Sequence, residues 1–291
     1  MAHTLLRTFL GWLEVISPAF TKPGLCNALV VMVGWIRTRG PHAITQALVE
    51  TRVAGRRHHE AFHRFFSRGT WEPDHLGQLL FEKIVELLLG ADATIDLVLD
   101  DTLVRKKGPQ IFGLGSHLDP VRSSKRVQYL AFGHAWVVLS VVVHLPFSRR
   151  PWALPILFRL YRNKKDHARR HSGKYRKKTE LGREMLDLVA SWRPESKFRV
   201  SADSAFANNS VLDQLPANVH FVGAMRPDAV LTAAPIEPER RTVGRPRKRG
   251  DVLPKPLSLA KSNAHAWKKT SVVLYGKKQV VEYKTIDAQW Y

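Results

Sequence analysis

The segments Asp96-Leu97-Val98-Leu99-Asp100-Asp101-Thr102 and Phe198-Arg199-Val200-Ser201-Ala202-Asp203 are short apolar runs that close on carboxylates. Such runs read as buried strands. A strand that finishes on Asp sets it at the edge of an α/β sheet, where open folds keep their chemistry. If the two strands are neighbours, their carboxylates meet and offer hard oxygen donors to Mg²⁺ or Mn²⁺. A pair of such ions activates the attacking oxygen and stabilises the leaving oxygen of a phosphodiester. Asp100 and Asp203 are therefore the candidate catalytic residues, and Asp100, Asp101 and Asp203 the candidate metal ligands. Side chains alternate along a strand, so Asp100 and Asp101 face opposite sides and only one can face the metal. Taken alone, Asp100-Asp101-Thr102 also suits a strand-ending turn; its pairing with Asp203 is what favours metal.

The charge balance names the partner. Lys and Arg outnumber Asp and Glu 46 to 25, a formal net charge of +21. That excess calls for a polyanion, and DNA or RNA is the commonest; an anionic membrane surface is the bland alternative. Candidate DNA contacts are Arg64 in a helical region, Arg162, Lys164 and Lys165 beside Tyr161 and Tyr175, and Arg245, Arg247, Lys248 and Arg249. Gly244-Arg245-Pro246 resembles the core of an arm that lays Arg into a narrow A·T minor groove. A basic loop touching phosphates without sequence preference is the simpler alternative. The single cysteine, Cys26, excludes an intrachain disulfide and a cysteine zinc site, which fits a reducing compartment. Glu14 interrupts any signal-peptide core, and residues 28–36 are too short an apolar run to span a bilayer, so a soluble intracellular protein is expected. The histidines show no zinc spacing, and neither a P-loop nor a dinucleotide fingerprint is present.

The elements that must position these residues follow from periodicity. Residues 1–90 read as a helical module: an apolar helical face at Leu5, Leu6, Phe9, Leu10, Leu13 and Ile16, then helices at 41–49, at 58–66 and from Pro73. A DNA-binding module and a plain bundle with a solvated basic face fit it equally. Beyond Gly90 strands are expected at 94–99, at 129–132 and 135–145 as one or two strands, and at 152–161. A helix at 179–192, a strand at 197–201, a short helix at 208–215 and a strand at 219–224 complete the series. Three antiparallel strands followed by parallel strands reached through helical crossovers is the order of an RNase H-like sheet. The expected fold is thus α/β, an RNase H-like mixed sheet over 91–291 with a basic, proline-punctuated, β-rich insertion from about 226 that carries strands at 270–274 and 280–284.

Leu97-Val98-Leu99-Asp100-Asp101-Thr102, Lys106-Lys107-Gly108, Ser201-Ala202-Asp203-Ser204-Ala205-Phe206 and Gly244-Arg245-Pro246-Arg247-Lys248 resemble successive landmarks of the DDE-type transposases of bacterial insertion sequences. The stretch 58–67 is similar to that family's N-terminal helical region. The resemblance implies an RNase H-like catalytic core, Mg²⁺ or Mn²⁺, and cut-and-paste strand transfer at terminal inverted repeats. It further implies a homo-oligomer on double-stranded DNA, in the cytoplasm and associated with the bacterial nucleoid. The family's first Asp falls on Asp100 and its second on Asp203. The family's third acid, a Glu on a helix after a β-rich insertion, finds no match, because Glu282 sits in the strand-like 280–284. The chain is therefore expected to stop inside or just after the insertion. The implied function is a DNA transposase; the alternative is an inactive, truncated derivative that only binds DNA or inhibits the full-length protein.

Overall fold

The computed structural model describes residues 11–90, 94–108, 110–124, 126–169, 173–235, 248–274 and 276–290. The chain divides into two compact units, Met1–Ala91 and Asp92–Tyr291.

The first unit is helical. Helix α1, Lys22–Arg37, starts where the Thr21 hydroxyl accepts the Gly24 N–H at 3.3 Å, with Pro23 in the first turn. It absorbs the apolar run 28–36, to which periodicity alone assigned no helix. Helices α2 (Ile44–Glu50), α3 (Glu60–Arg68) and α4 (Pro73–Leu88) follow, the last opened by its proline. Val31, Leu48 and Phe62 form a core to which Val30, Trp35, Ile44, Val53 and Ala61 add. Gly34 permits the tight approach of α1 to α2: a Cβ there would lie 2.5 Å from the Ala47 carbonyl oxygen.

The second unit holds a six-stranded mixed sheet: β1 (Ile95–Arg105), β2 (Gly115–Leu118), β3 (Leu130–Val143), β4 (Trp152–Tyr161), β5 (Phe198–Ala202) and β6 (Val219–Gly223). The long β3 pairs antiparallel with β1 along one edge, and with β2 and then β4 along the other. β1 pairs parallel with β5, and β5 with β6. The order β4-β3-β1-β5-β6 is RNase H-like, with β2 as an added short strand. After the short α5 (Lys164–Arg169), helix α6 (Lys178–Trp192) makes the crossover from β4 to β5, and α7 (Asn209–Leu212) makes the next. The buried face of α6 is Leu181, Gly182, Met185, Leu186, Val189 and Ala190. Gly182 seats the helix: a Cβ there would stand 3.0 Å from Leu99 and 3.2 Å from Phe206.

Several elements differ from the expectation. β1 does not end at Asp100 but runs on to Arg105, because β3 supplies partners as far as Arg105↔Gly133. The two β-rich runs before residue 145 form one continuous strand. Strand β2 and helix α5 were not foreseen; four and six residues are too few for a periodic signal. Beyond residue 226, Leu231–Thr232 (β7) pairs with Gln289–Trp290 (β10), and Lys268–Leu274 (β8) forms a hairpin with Lys277–Tyr283 (β9). The base of the basic arm is pinned where Gly250 N–H donates to the Ala233 carbonyl at 3.0 Å and Ala233 N–H to that of Asp251 at 2.9 Å. No described helix is long and apolar enough to cross a membrane.

Asp119, in the β2–β3 turn, ties that hairpin to the end of β1. Its carboxylate takes Arg105 and the N–H groups of Val121 and Arg122, at 3.1 and 3.3 Å. Burial would push its pKa up, but Arg105 and these N–H groups outweigh burial and hold it below the usual carboxylate value. A carboxylate depressed by folding stabilises the fold above its unfolded pKa and loses that contribution as pH falls through the folded value. Asp119→Asn is therefore expected to lower the unfolding midpoint at neutral pH, and the gap from wild type should narrow below about pH 4. Thermal unfolding at a series of pH values measures this; a gap that persists unchanged into acid rules out the ionic origin.

Candidate metal and DNA site

The parallel register of β1 and β5 brings the two motifs together. Leu97 pairs with Val200 and Leu99 with Ala202, so the next residues on the two strands are Asp100 and Asp203. Asp96 and Arg199, also register partners, close a two-bond ion pair at 2.6 Å on the outer face. Ile95, Leu97 and Leu99 are buried, and Leu99 meets α6 at Gly182. Alternation therefore sends Asp101 to the α6 face and Asp100 to the other. Asp100 is exposed, and its Oδ1 accepts the Asp101 N–H at 2.8 Å.

Asp203 sits one residue past β5, in a turn. Its Oδ1 accepts the Ala205 N–H at 2.9 Å, and its carbonyl accepts from Phe206 and Ala207 at 3.2 and 3.3 Å. Phe206, 1% exposed, plugs the turn into the core. Because Asp203 lies outside the strand, alternation does not tie its carboxylate to either face.

Asp101 has a built environment. Its Oδ2 accepts from Lys178 Nζ at 2.5 Å, and both side chains are partly exposed. Lys178 is the first residue of α6, and its ammonium lies 5.5 Å over the Tyr161 ring. The Tyr161 hydroxyl meets that of Tyr175 at 3.0 Å; burial and this bond push Tyr161 up, so it stays protonated. The His117 ring stands 5.7 Å from that of Tyr161. Its Nε2 is buried with no hydrogen-bond partner among the described residues. Burial, then Lys178, pull His117 below the ordinary imidazole value against the opposing pull of Asp101, so it is neutral at pH 7. At the far side of the α6 entrance, Glu184 accepts from Arg159 at 2.8 Å and pairs with Arg176. These guanidiniums outweigh the effect of burial and hold its carboxyl below the usual range. Sequence reasoning missed His117, because it sits on the unforeseen β2, and gave Lys178 no role of its own.

The donor set suits a hard cation. Mg²⁺ is commonly held by one or two carboxylates and completed by water and substrate phosphate oxygens. Two exposed carboxylates, Asp100 within β1 and Asp203 just past the end of β5, and a third already carrying a cationic ammonium, meet that description. Among the described residues no three acidic, His or Cys groups converge on one point. Glu282 lies in β9 beside Lys269, at 3.2 Å, in a strand rather than on a helix.

The sequence matches the family described as DDE superfamily endonuclease over residues 37–279. The chain belongs to that family. Neither the curated proteins nor the solved structures include a match. Membership of this family supports a nuclease- or transposase-type activity in general and implies DNA as the substrate, and the family's chemistry is in general divalent-metal dependent.

The basic residues of this endonuclease separate into two sets. Arg64 is held by Glu60 at 2.6 Å on the surface of α3. Arg162 turns inward: its side chain is 13% exposed, pairs with buried Asp166 at 2.7 Å and stacks 4.9 Å over Phe112. Lys164 and Lys165 are exposed, Lys164 lying 5.6 Å over Tyr175. Lys248 and Arg249 are exposed at the base of the arm, whereas Arg245 and Arg247 lie outside the described residues. Arg162→Ala should thus act on the fold, leaving Asp166 as a buried, poorly compensated charge at a cost of about 3 kcal/mol. Urea denaturation measures it; unchanged stability with weakened DNA affinity would instead make Arg162 a phosphate contact.

Proposed function

We propose that this chain is a DNA transposase that cleaves phosphodiesters and transfers strands at the terminal inverted repeats of an insertion sequence. The observation that carries the proposal is the parallel β1–β5 pairing, whose register supports a carboxylate of Asp100 or Asp101 acting together with Asp203 in a DDE superfamily endonuclease. Asp203 and whichever of Asp100 and Asp101 faces it would hold Mg²⁺ or Mn²⁺, and the ion, when bound, supplies charge stabilisation to the attacking and leaving oxygens. Asp203 is fixed by its turn, so it presents a carboxylate without further ordering cost. The helical unit, with Lys164, Lys165, Lys248 and Arg249 and the arm residues Arg245 and Arg247, would hold double-stranded DNA, the protein acting there as a homo-oligomer. A second reading, a protein that binds ends without cutting them, draws on Glu282 lying in a hairpin strand rather than on a helix.

Plasmid DNA carrying the element's genomic flanks separates the two. With Mn²⁺, wild type is expected to nick it, and Asp203→Asn to lose at least about a hundredfold in rate while keeping DNA affinity within about twofold. Nicking by the variant at the wild-type rate removes Asp203 from the site; binding without nicking by wild type favours the second reading. Affinity should also fall steeply with salt. Replacing Arg245, Arg247, Lys248 and Arg249 by Ala should flatten that slope by about 0.9 for each phosphate these side chains neutralise. An unchanged slope leaves the arm without a phosphate role.

A further inference from the structure

Lys178 stands where electrostatics alone would not put it. It is the first residue of the 15-residue helix α6, directly after Arg176 and Lys177, at the end where the helix dipole is positive and cations are disfavoured. Acidic side chains offset this crowding. Glu184 takes Arg176, the Glu180 carboxylate accepts the Lys177 N–H at 2.7 Å, and Asp101 takes the Lys178 ammonium at 2.5 Å. The first two bind the helix end to itself, and Glu184 also takes Arg159 of β4. The third reaches across to β1 and neutralises a carboxylate proposed above as a metal ligand.

An ammonium at 2.5 Å neutralises the charge with which Asp101 would attract Mg²⁺ and repels the ion, so its departure strengthens metal binding at that carboxylate. Resting on the metal edge proposed above, we infer that Lys178 is a displaceable counter-ion: it neutralises Asp101 while DNA is absent, and transfers to a backbone phosphate when DNA binds, releasing Asp101 to the metal. The side chain is suited to this. A lysine carries its charge on a flexible four-carbon stem; this one is 33% exposed, and its partner 26%. The face of Tyr161, 5.5 Å from the ammonium, lies against it as a second resting contact that needs no anion. The positive end of α6 that disfavours Lys178 would favour the arriving phosphate. Metal and DNA then bind with positive cooperativity through one residue, and by linkage each must strengthen the other equally.

Mn²⁺ affinity, measured as free ion by electron paramagnetic resonance with and without a 30-bp duplex, tests the inference without relying on turnover. For wild type, the duplex should tighten Mn²⁺ binding. Lys178→Met should bind Mn²⁺ about two- to fivefold more tightly than wild type without DNA, the range expected on removing a partly exposed ion pair, and the gain on adding duplex should shrink. Lys178→Gln should behave likewise, which guards against an effect of the new side chain. Equal Mn²⁺ affinity of wild type and both variants without DNA overturns the inference, as does a duplex effect of wild-type size in the variants. Asp101→Asn separates the two levels. If it and Asp203→Asn both keep wild-type Mn²⁺ affinity, the metal edge itself falls; if Asp101→Asn alone keeps it, or if Asp101→Asn loses it while both Lys178 variants match wild type, the counter-ion inference alone falls.

Discussion

The parallel pairing of β1 with β5 is the constraint on which the rest of the second unit depends. Parallel neighbours cannot be joined by a tight turn; they need a crossover element. Here β1 and β5 are joined by the whole of β2 to β4 and by α6, which packs across the sheet. Ile95, Leu97, Leu99, Phe198 and Val200, all buried, fix the register of the pair. A slip of one residue would turn these apolar side chains to the opposite face, and would exchange Asp100 and Asp101 between the two faces. The Asp96–Arg199 pair lies across the same strands on the outer side and agrees with that register. The identity of the carboxylate on each face is thus set by apolar burial several residues away.

A chain with a net charge of +21 must fold against its own repulsion. It does so by committing part of its basic residues to internal acids. Arg105 holds Asp119, Arg162 holds Asp166, Arg159 and Arg176 hold Glu184, and Lys178 holds Asp101. These pairs clasp the β2–β3 turn, α5 and the entrance of α6 to the sheet. Exposed cations such as Lys164, Lys165 and Lys248 have a geometry open to a polyanion. Basic residues close in sequence therefore divide between architecture and binding: Arg162 and Lys164 are two positions apart, yet one faces the core and the other faces solvent.

Much of this was readable from the chain alone. The strands at 152–161, 197–201 and 219–224 and the helix at 179–192 carry long apolar periodicities, and each appears within a residue or two of the expected place. The strand order followed, and with it the neighbourhood of Asp100, Asp101 and Asp203, since the RNase H-like arrangement places its first and fourth core strands side by side. The full reach of β1 was not readable. Residues Asp101 to Arg105 are mixed in polarity and hold a strand only because the long β3 lies against them.

What the sequence determined by itself was composition, charge and the local periodicities: the chemical types present and the elements that carry them. Tertiary structure alone decided that Lys178, 77 residues from Asp101, closes on its carboxylate, that His117 comes in on a four-residue strand, and that Arg162 points inward. The reason is physical. Periodicity encodes which face of an element is apolar, but an ion pair between distant elements depends on their mutual placement. That placement is fixed by the packing of other side chains, such as Gly182 against Leu99 and Phe206, whose close fit leaves no mark on the local pattern of the residues it brings together.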